Sequence, residues 1–150
     1  MAIGMRATYR NPANIPVTSS IALVTTNLTS PIAANERQQL RFWQPFSVGA
    51  TGGVRALVAV PAGATAQVMT TTIVNNVTDA IIADVQTLAA PPVAVTNALA
   101  SAGTHWLEIV LQVLNGATPG NVDLQMAQNT VDALTLTILN GGFVDVTILG

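Results

Sequence analysis

Three observations predict an all-β protein, a jelly-roll-like antiparallel β-sandwich with an extended N-terminal arm. Apolar and polar residues alternate with period two, turn residues recur at roughly ten-residue intervals, and no segment sustains a helical repeat with caps. The alternation is clearest from Gly103 to Gly150, which reads as four strands in a meander or half of a Greek key. In the first of these strands Trp106, Glu108, Val110 and Gln112 share one face, and Leu107, Ile109, Leu111 and Val113 share the other.

Taken in order, residues 1–16 are polar and interrupted by Asn11-Pro12 and Pro16, which predicts an arm without a core of its own; residues 17–150 form the sandwich domain. Val17 to Thr29 alternates as a strand and is expected to stop at Ser30-Pro31. Gln39 to Val48 is a second strand, in which Pro45 calls for a sheet edge or a bulge. Val54 to Val60 is a third, closed by Pro61 and Gly63, and Ala66 to Val74 a fourth, closed by Asn75-Asn76. Thr78 to Ala89 fits both periods, because Ile81, Ile82, Val85 and Leu88 also line one helical face; strand is preferred since the rest of the chain is β. Val93 to Ala102 is expected to be a connection of small residues. Beyond it, Asn115-Gly116 and Pro119-Gly120 close a turn, Val122 to Ala127 and Leu134 to Ile138 alternate again, and Asn140-Gly141-Gly142 turns the chain into Phe143 to Leu149.

A chain of 150 residues forms one domain that buries roughly two thirds of its unfolded surface. Having no cysteine, it has no disulfide framework, thiol nucleophile or thiolate-ligated zinc. Half of its residues are hydrophobic and only 8% are charged, against roughly 25% in a typical soluble domain. So sparsely charged a surface is expected to be covered by copies of itself or by a partner. No run of about 18 apolar residues exists to span a membrane as a helix, and six aromatics do not furnish the girdles of a membrane barrel. Met1 to Arg10 also lacks the apolar core of a signal peptide.

All basic residues are arginines, Arg6, Arg10, Arg37, Arg41 and Arg55, and all precede position 56, where Glu36 is the only acid. The other acids, Asp79, Asp84, Glu108, Asp123, Asp132 and Asp145, follow. This segregation reads as complementary faces meeting between subunits, as an arginine arm reaching a neighbouring acidic surface, or as chance among twelve charges. Arginine without lysine suits packed, planar contacts.

No chemistry emerges from the motifs. The single histidine, His105, sits on the opposite strand face from Glu108 and reads as a hydrogen-bonding residue at a strand end or interface rather than a general base. The acids lie singly, without the oxygen cadence of a calcium loop or a predicted carboxylate pair. Gly49, Gly52 and Gly53 precede no helix, which argues against a phosphate loop. Arg41, Phe42, Trp43 and Phe46 mix cations and aromatics as single-strand nucleic-acid surfaces do, but with a net charge of −2 they read as a strand half in the core and half at an interface. The sequence thus predicts no enzyme, no catalytic residue, no metal, no cofactor, and neither nucleic acid nor membrane as partner.

Two stretches, Gly53-Val54-Arg55-Ala56-Leu57-Val58-Ala59-Val60-Pro61 and Ser101 to Ile109 followed by Asn115 to Asn129, resemble small jelly-roll virion proteins of tailed bacteriophages. These are capsid decoration (cement) proteins and related head- or tail-fibre domains. The resemblance implies a homotrimer on the capsid surface that binds the major capsid protein and stabilises its neighbours. Lack of a further domain or a coiled-coil shaft favours decoration over fibre. On that reading Arg6, Tyr9 and Arg10 contact partners through the arm, and Trp43 or Trp106 anchors an interface. The alternative is a fibre domain recognising a receptor or glycan through loops around Asn75, Pro91 and Asn115.

Overall fold

Every regular element described in the computed structural model is a β-strand, and the residues described are 4, 6–49, 51–75, 80–84, 93–97 and 102–150. The strands are β1 Arg6–Arg10, β2 Ile15–Val17, β3 Val24–Ile32, β4 Arg37–Val48, β5 Val54–Ala59 and β6 Thr65–Asn75. They continue as β7 Ala80–Asp84, β8 Val93–Asn97, β9 Gly103–Leu114, β10 Gly120–Ala127, β11 Leu136–Ile138 and β12 Phe143–Ile148. One sheet runs β1-β12-β4-β9-β6-β7, with β11 also on β4 and β2 on β11; the other runs β3-β10-β5-β8. All the pairings are antiparallel, so the predicted sandwich class is what the chain adopts.

The core lies between the sheets because each long strand turns its apolar set inward. On β4 these are Leu40, Phe42 and Phe46, on β9 Leu107, Ile109 and Leu111, and on β10 Val122, Leu124 and Met126, all fully buried or nearly so. Each such side chain stabilises the fold by roughly 1.5–3 kcal/mol.

Of the two connectivities expected for the last four strands, a meander or half of a Greek key, the chain does not adopt the meander. None of the last four strands pairs with its successor, and among the described residues only β6 and β7 form a hairpin. The turn at Asn115-Gly116 explains the change. The Asn115 N–H donates to the Glu36 carbonyl (2.9 Å) and the Asn35 N–H to the Gly116 carbonyl (2.8 Å). Buried Asn115 also donates its side-chain amide to the Ala33 and Thr118 carbonyls. The turn is therefore bonded to the β3–β4 connection, and the chain crosses from one sheet to the other instead of folding back on β9.

Pro31, expected to end a strand, and Pro45, expected at an edge or a bulge, both lie inside strands. Pro31, in β3, accepts a hydrogen bond at its carbonyl from Gln38 Nε2 (2.9 Å). Its nitrogen points the same way, off the open edge, so no ladder bond to β10 is lost. Pro45 sits in β4 at the centre of the larger sheet, neither on an edge nor in a bulge. Its carbonyl accepts from Leu139 N–H (3.0 Å), so its nitrogen faces the gap where the neighbour of β4 changes from β12 to β11.

Other boundaries also shift. The strand expected over Val17 to Thr29 is broken, since Ser19 adopts φ 50° and β3 begins only at Val24. The break is held by fully buried Gln128, which accepts from Ser20 N–H (3.0 Å) and donates to the Asp132 and Leu134 carbonyls. Asn27 takes up φ 64° at a bulge, where the register between β3 and β10 jumps. Leu134 is exposed and β11 starts at Leu136. The stretch expected as a connection contains β8, whose β-branched Val93 and Val95 mark a strand amid alanines. Of the strand expected over 78–89, Ala80–Asp84 is β7 and the remainder lies outside the described residues.

The segment expected as an arm, 1–16, runs along the larger sheet in its described part. From Arg6 to Arg10 it pairs with β12 in register, Arg6 opposite Thr147 and Arg10 opposite Phe143, and Ala7 and Tyr9 pack against the core.

Candidate interaction surface

The larger sheet turns its other side to solvent, and antiparallel register fixes which residues meet there. Trp43 on β4 stands between Phe143 on β12 and Glu108 on β9, with Arg10 beyond Phe143 on β1. In the next row Arg41 stands between Asp145 and Val110, with Thr8 on β1 opposite Asp145. One row further, Arg6, Thr147, Gln39, Gln112 and Gln67 line up across five strands. Rows on one face of a strand are about 7 Å apart and strands about 4.8 Å apart.

The aromatics form a stack. Trp43 is 5.6 Å from Phe143 with the rings 21° from parallel, and 6.2 Å from Trp106 at 33°. Contacts of this geometry add about 0.5–1.5 kcal/mol each beyond area burial. All three side chains are half-buried, so their rims remain open to a partner.

Charges on this face come from both halves of the sequence. Arg41 Nε donates to Glu108 Oε1 in the only ion pair among the described residues. With 52% of the arginine and 30% of the glutamate side chain exposed, the pair contributes at most about 1 kcal/mol. Asp145 accepts from the Thr8 hydroxyl at 2.6 Å. Arg6, Arg10 and Arg37 are exposed on the same face, so among the described residues four arginines meet two carboxylates there and leave a surplus of two positive charges, on a chain of net −2. Shallow depressions of about 310 and 300 Å³ open beside Arg6 and Arg41 and beside Arg37 and Gln112.

Of the residues expected at an interface, the structure brings Arg6, Arg10, Trp43 and Trp106 onto this face. Tyr9 has the opposite parity and packs against the core. Phe143 and Arg37 complete the surface and were not singled out; the alternation of Phe143, Asp145 and Thr147 against Val144, Val146 and Ile148 carried the signal. His105 faces inward, fully buried, with its ring 5.6 Å from that of Phe46. Among the described residues no three His, Asp or Glu side chains group as a metal site. Asn115 is buried, and Pro91 lies outside the described residues.

Away from this face, Asp132 accepts from the Thr51 hydroxyl and from Leu134 N–H (2.9 Å). These bonds, led by the hydroxyl, lower its pKa below the usual aspartate value.

No protein-family model matches the chain, and no curated protein does. Solved structures similar to it include infectious bursal disease virus, Gx strain, at 12% identity and TM-score 0.30, over 96% of this chain and 39% of that one. The VP2 subviral particle of the same virus matches at 12% identity and TM-score 0.25, over 96% and 40%. The chain thus spans about two fifths of the length of these structures. The similarity to these viral structures is weak, and no tailed-phage family is identified.

Proposed function

We propose that this chain is a non-enzymatic structural protein of a virus particle, a cement protein that lies on the outside of a tailed-phage capsid as a homotrimer and ties neighbouring major capsid proteins together. The observation that carries the reading is the outer face of the larger sheet. On a chain with only twelve charged residues, four arginines share that face with a ring stack of Trp106, Trp43 and Phe143, Arg10 and Arg41 nearest to it. Tryptophan and arginine dominate the energetic centres of protein interfaces, and a flat sheet face offers contact area without ordering a loop. Attachment through this face replaces attachment through a free arm, because Arg6 and Arg10 are presented on a paired strand. For the fibre alternative, the Asn115 side chain is spent inside the fold, which leaves exposed Ala117, Thr118 and Pro119 as the recognition residues of that loop.

The test is labelling of purified particles from the source of this sequence with antibody to the chain, together with heat release of the packaged genome from particles with and without it. Surface labelling and earlier genome release from depleted particles are expected. Absence of the chain from purified particles overturns the proposal.

A further inference from the structure

The sequence contains two Asn-Gly pairs, and the fold treats them in opposite ways. Asn115 is 3% exposed and its amide donates to the Ala33 and Thr118 carbonyls. Gly116 is equally confined, since a Cβ there would lie 2.9 Å from the Gly63 carbonyl oxygen. Asn140 is exposed, and its carboxamide makes no hydrogen bond among the described residues. Gly141 beside it has φ +85° and open space around it. The glycine is what the reaction of such pairs requires, because no side chain shields its backbone nitrogen.

We propose that Asn140 is a site of spontaneous deamidation in the folded protein and that its conversion loosens β1. In the reaction the Gly141 nitrogen, after losing its proton, attacks Asn140 Cγ. A C–N bond closes a five-membered succinimide, and the side-chain nitrogen leaves as ammonia. Water then opens the ring at either carbonyl, giving aspartate or isoaspartate. No oxidant or enzyme is needed.

The turn that would change is the clasp on the N-terminal segment. Gly141 N–H donates to the Asn11 carbonyl (3.1 Å), Asn11 N–H to the Gly142 carbonyl (2.9 Å) and Asn11 Nδ2 to the Leu139 carbonyl (3.2 Å). Asn140 N–H donates to Asn14 Oδ1 (2.7 Å). Attack by Gly141 requires its bond to Asn11 to open first, so the clasp sets the pace. Isoaspartate then inserts an extra methylene into the main chain of the turn, and the bonds to Asn11 and Asn14 cannot all re-form. Asn11 directly follows β1, so slackening there reaches the strand that presents Arg6 and Arg10.

The experiment is peptide mapping by mass spectrometry after prolonged incubation of the full chain at mildly alkaline pH, folded and in denaturant. In the folded protein the Asn140 peptide is expected to convert roughly fivefold faster than the Asn115 peptide, the factor set by one net hydrogen bond, two at the Asn115 amide against the one from Gly141 N–H to Asn11. In denaturant the two convert at similar rates. An Asn140 that stays intact in the folded protein, or an Asn115 that keeps pace with it, overturns the site. Hydrogen exchange of residues 6–10 is expected to quicken in the converted fraction and to stay slow in Asn140→Gln, whose side chain is exposed and whose fold is unaffected. Unchanged exchange after conversion overturns the link to β1.

Discussion

Gly142→Ala sets two effects of opposite sign against each other, and the structure decides between them. Gly142 is outside the left-handed region, so alanine fits the backbone, and stiffening the unfolded chain would by itself stabilise by about 0.4–1 kcal/mol. The added Cβ, however, would lie 2.2 Å from Gln44 Oε1 and 2.7 Å from Gln44 Cδ. Gln44 cannot swing aside cheaply. It is fully buried, and its Nε2 donates to the Leu139 and Pro45 carbonyls at 2.7 Å each. Displacing the amide forfeits two hydrogen bonds at about 1 kcal/mol each and strains a packed site by about 1–3 kcal/mol. The expected net result is a loss of about 2–4 kcal/mol, read as a lower urea midpoint with unchanged slope. The decisive variant is the double one. In a Gln44→Ala background the obstructing amide is gone, so Gly142→Ala should cost less than about 1 kcal/mol, giving strong coupling. Additive effects, or a tolerated Gly142→Ala in the parent, would refute the account of how Gln44 bridges the gap between β12 and β11.

Two further outcomes follow from the site geometry. Because its pKa is lowered in the folded state, Asp132 contributes stability that is present above the ordinary aspartate pKa and lost as pH falls through the lower folded value; Asp132→Asn should therefore be less stable than the parent at neutral pH, with the two urea midpoints converging in strong acid. On β1, Tyr9→Ala should lower stability by about 1–2 kcal/mol through lost packing, whereas Arg10→Ala should change it by less than about 0.5 kcal/mol yet weaken attachment to particles in a co-sedimentation assay.

How much of this was legible follows from the range of each signal. Alternation is local, so the inward set of β9, Leu107 to Val113, and the outward positions of Trp106 and Trp43 could be read directly. Pairing is not local. Asn115-Gly116 has the composition of a hairpin turn, but its partners are Ala33, Glu36 and Asn35, some eighty residues earlier. The prolines misled for the same reason: Pro45 looks like an edge residue until the handover between β12 and β11 is known to lie beside it. Tyr9 reads as an arm residue because nothing near it in the sequence reveals that β12, more than 130 residues later, pairs with its strand.

The same topology dissolves the charge segregation along the chain. Early strands find late partners: β1 pairs with β12, and β4 lies between β12 and β9. Early arginines are thereby brought beside late acids, Arg41 against Glu108 and, across the register, against Asp145. Of the six later acids, Glu108 and Asp145 thus lie among early arginines within one face of one sheet. That face still carries a positive surplus, since its acids are fewer than its arginines, but the complement to it is not encoded by the acids of β9 and β12, which lie on the face itself. On the attachment proposed above, negative charge on the partner's surface is expected to meet this surplus, so attachment should be salt-sensitive in proportion to Arg6, Arg10 and Arg37 and insensitive to Arg41, whose charge is already met by Glu108.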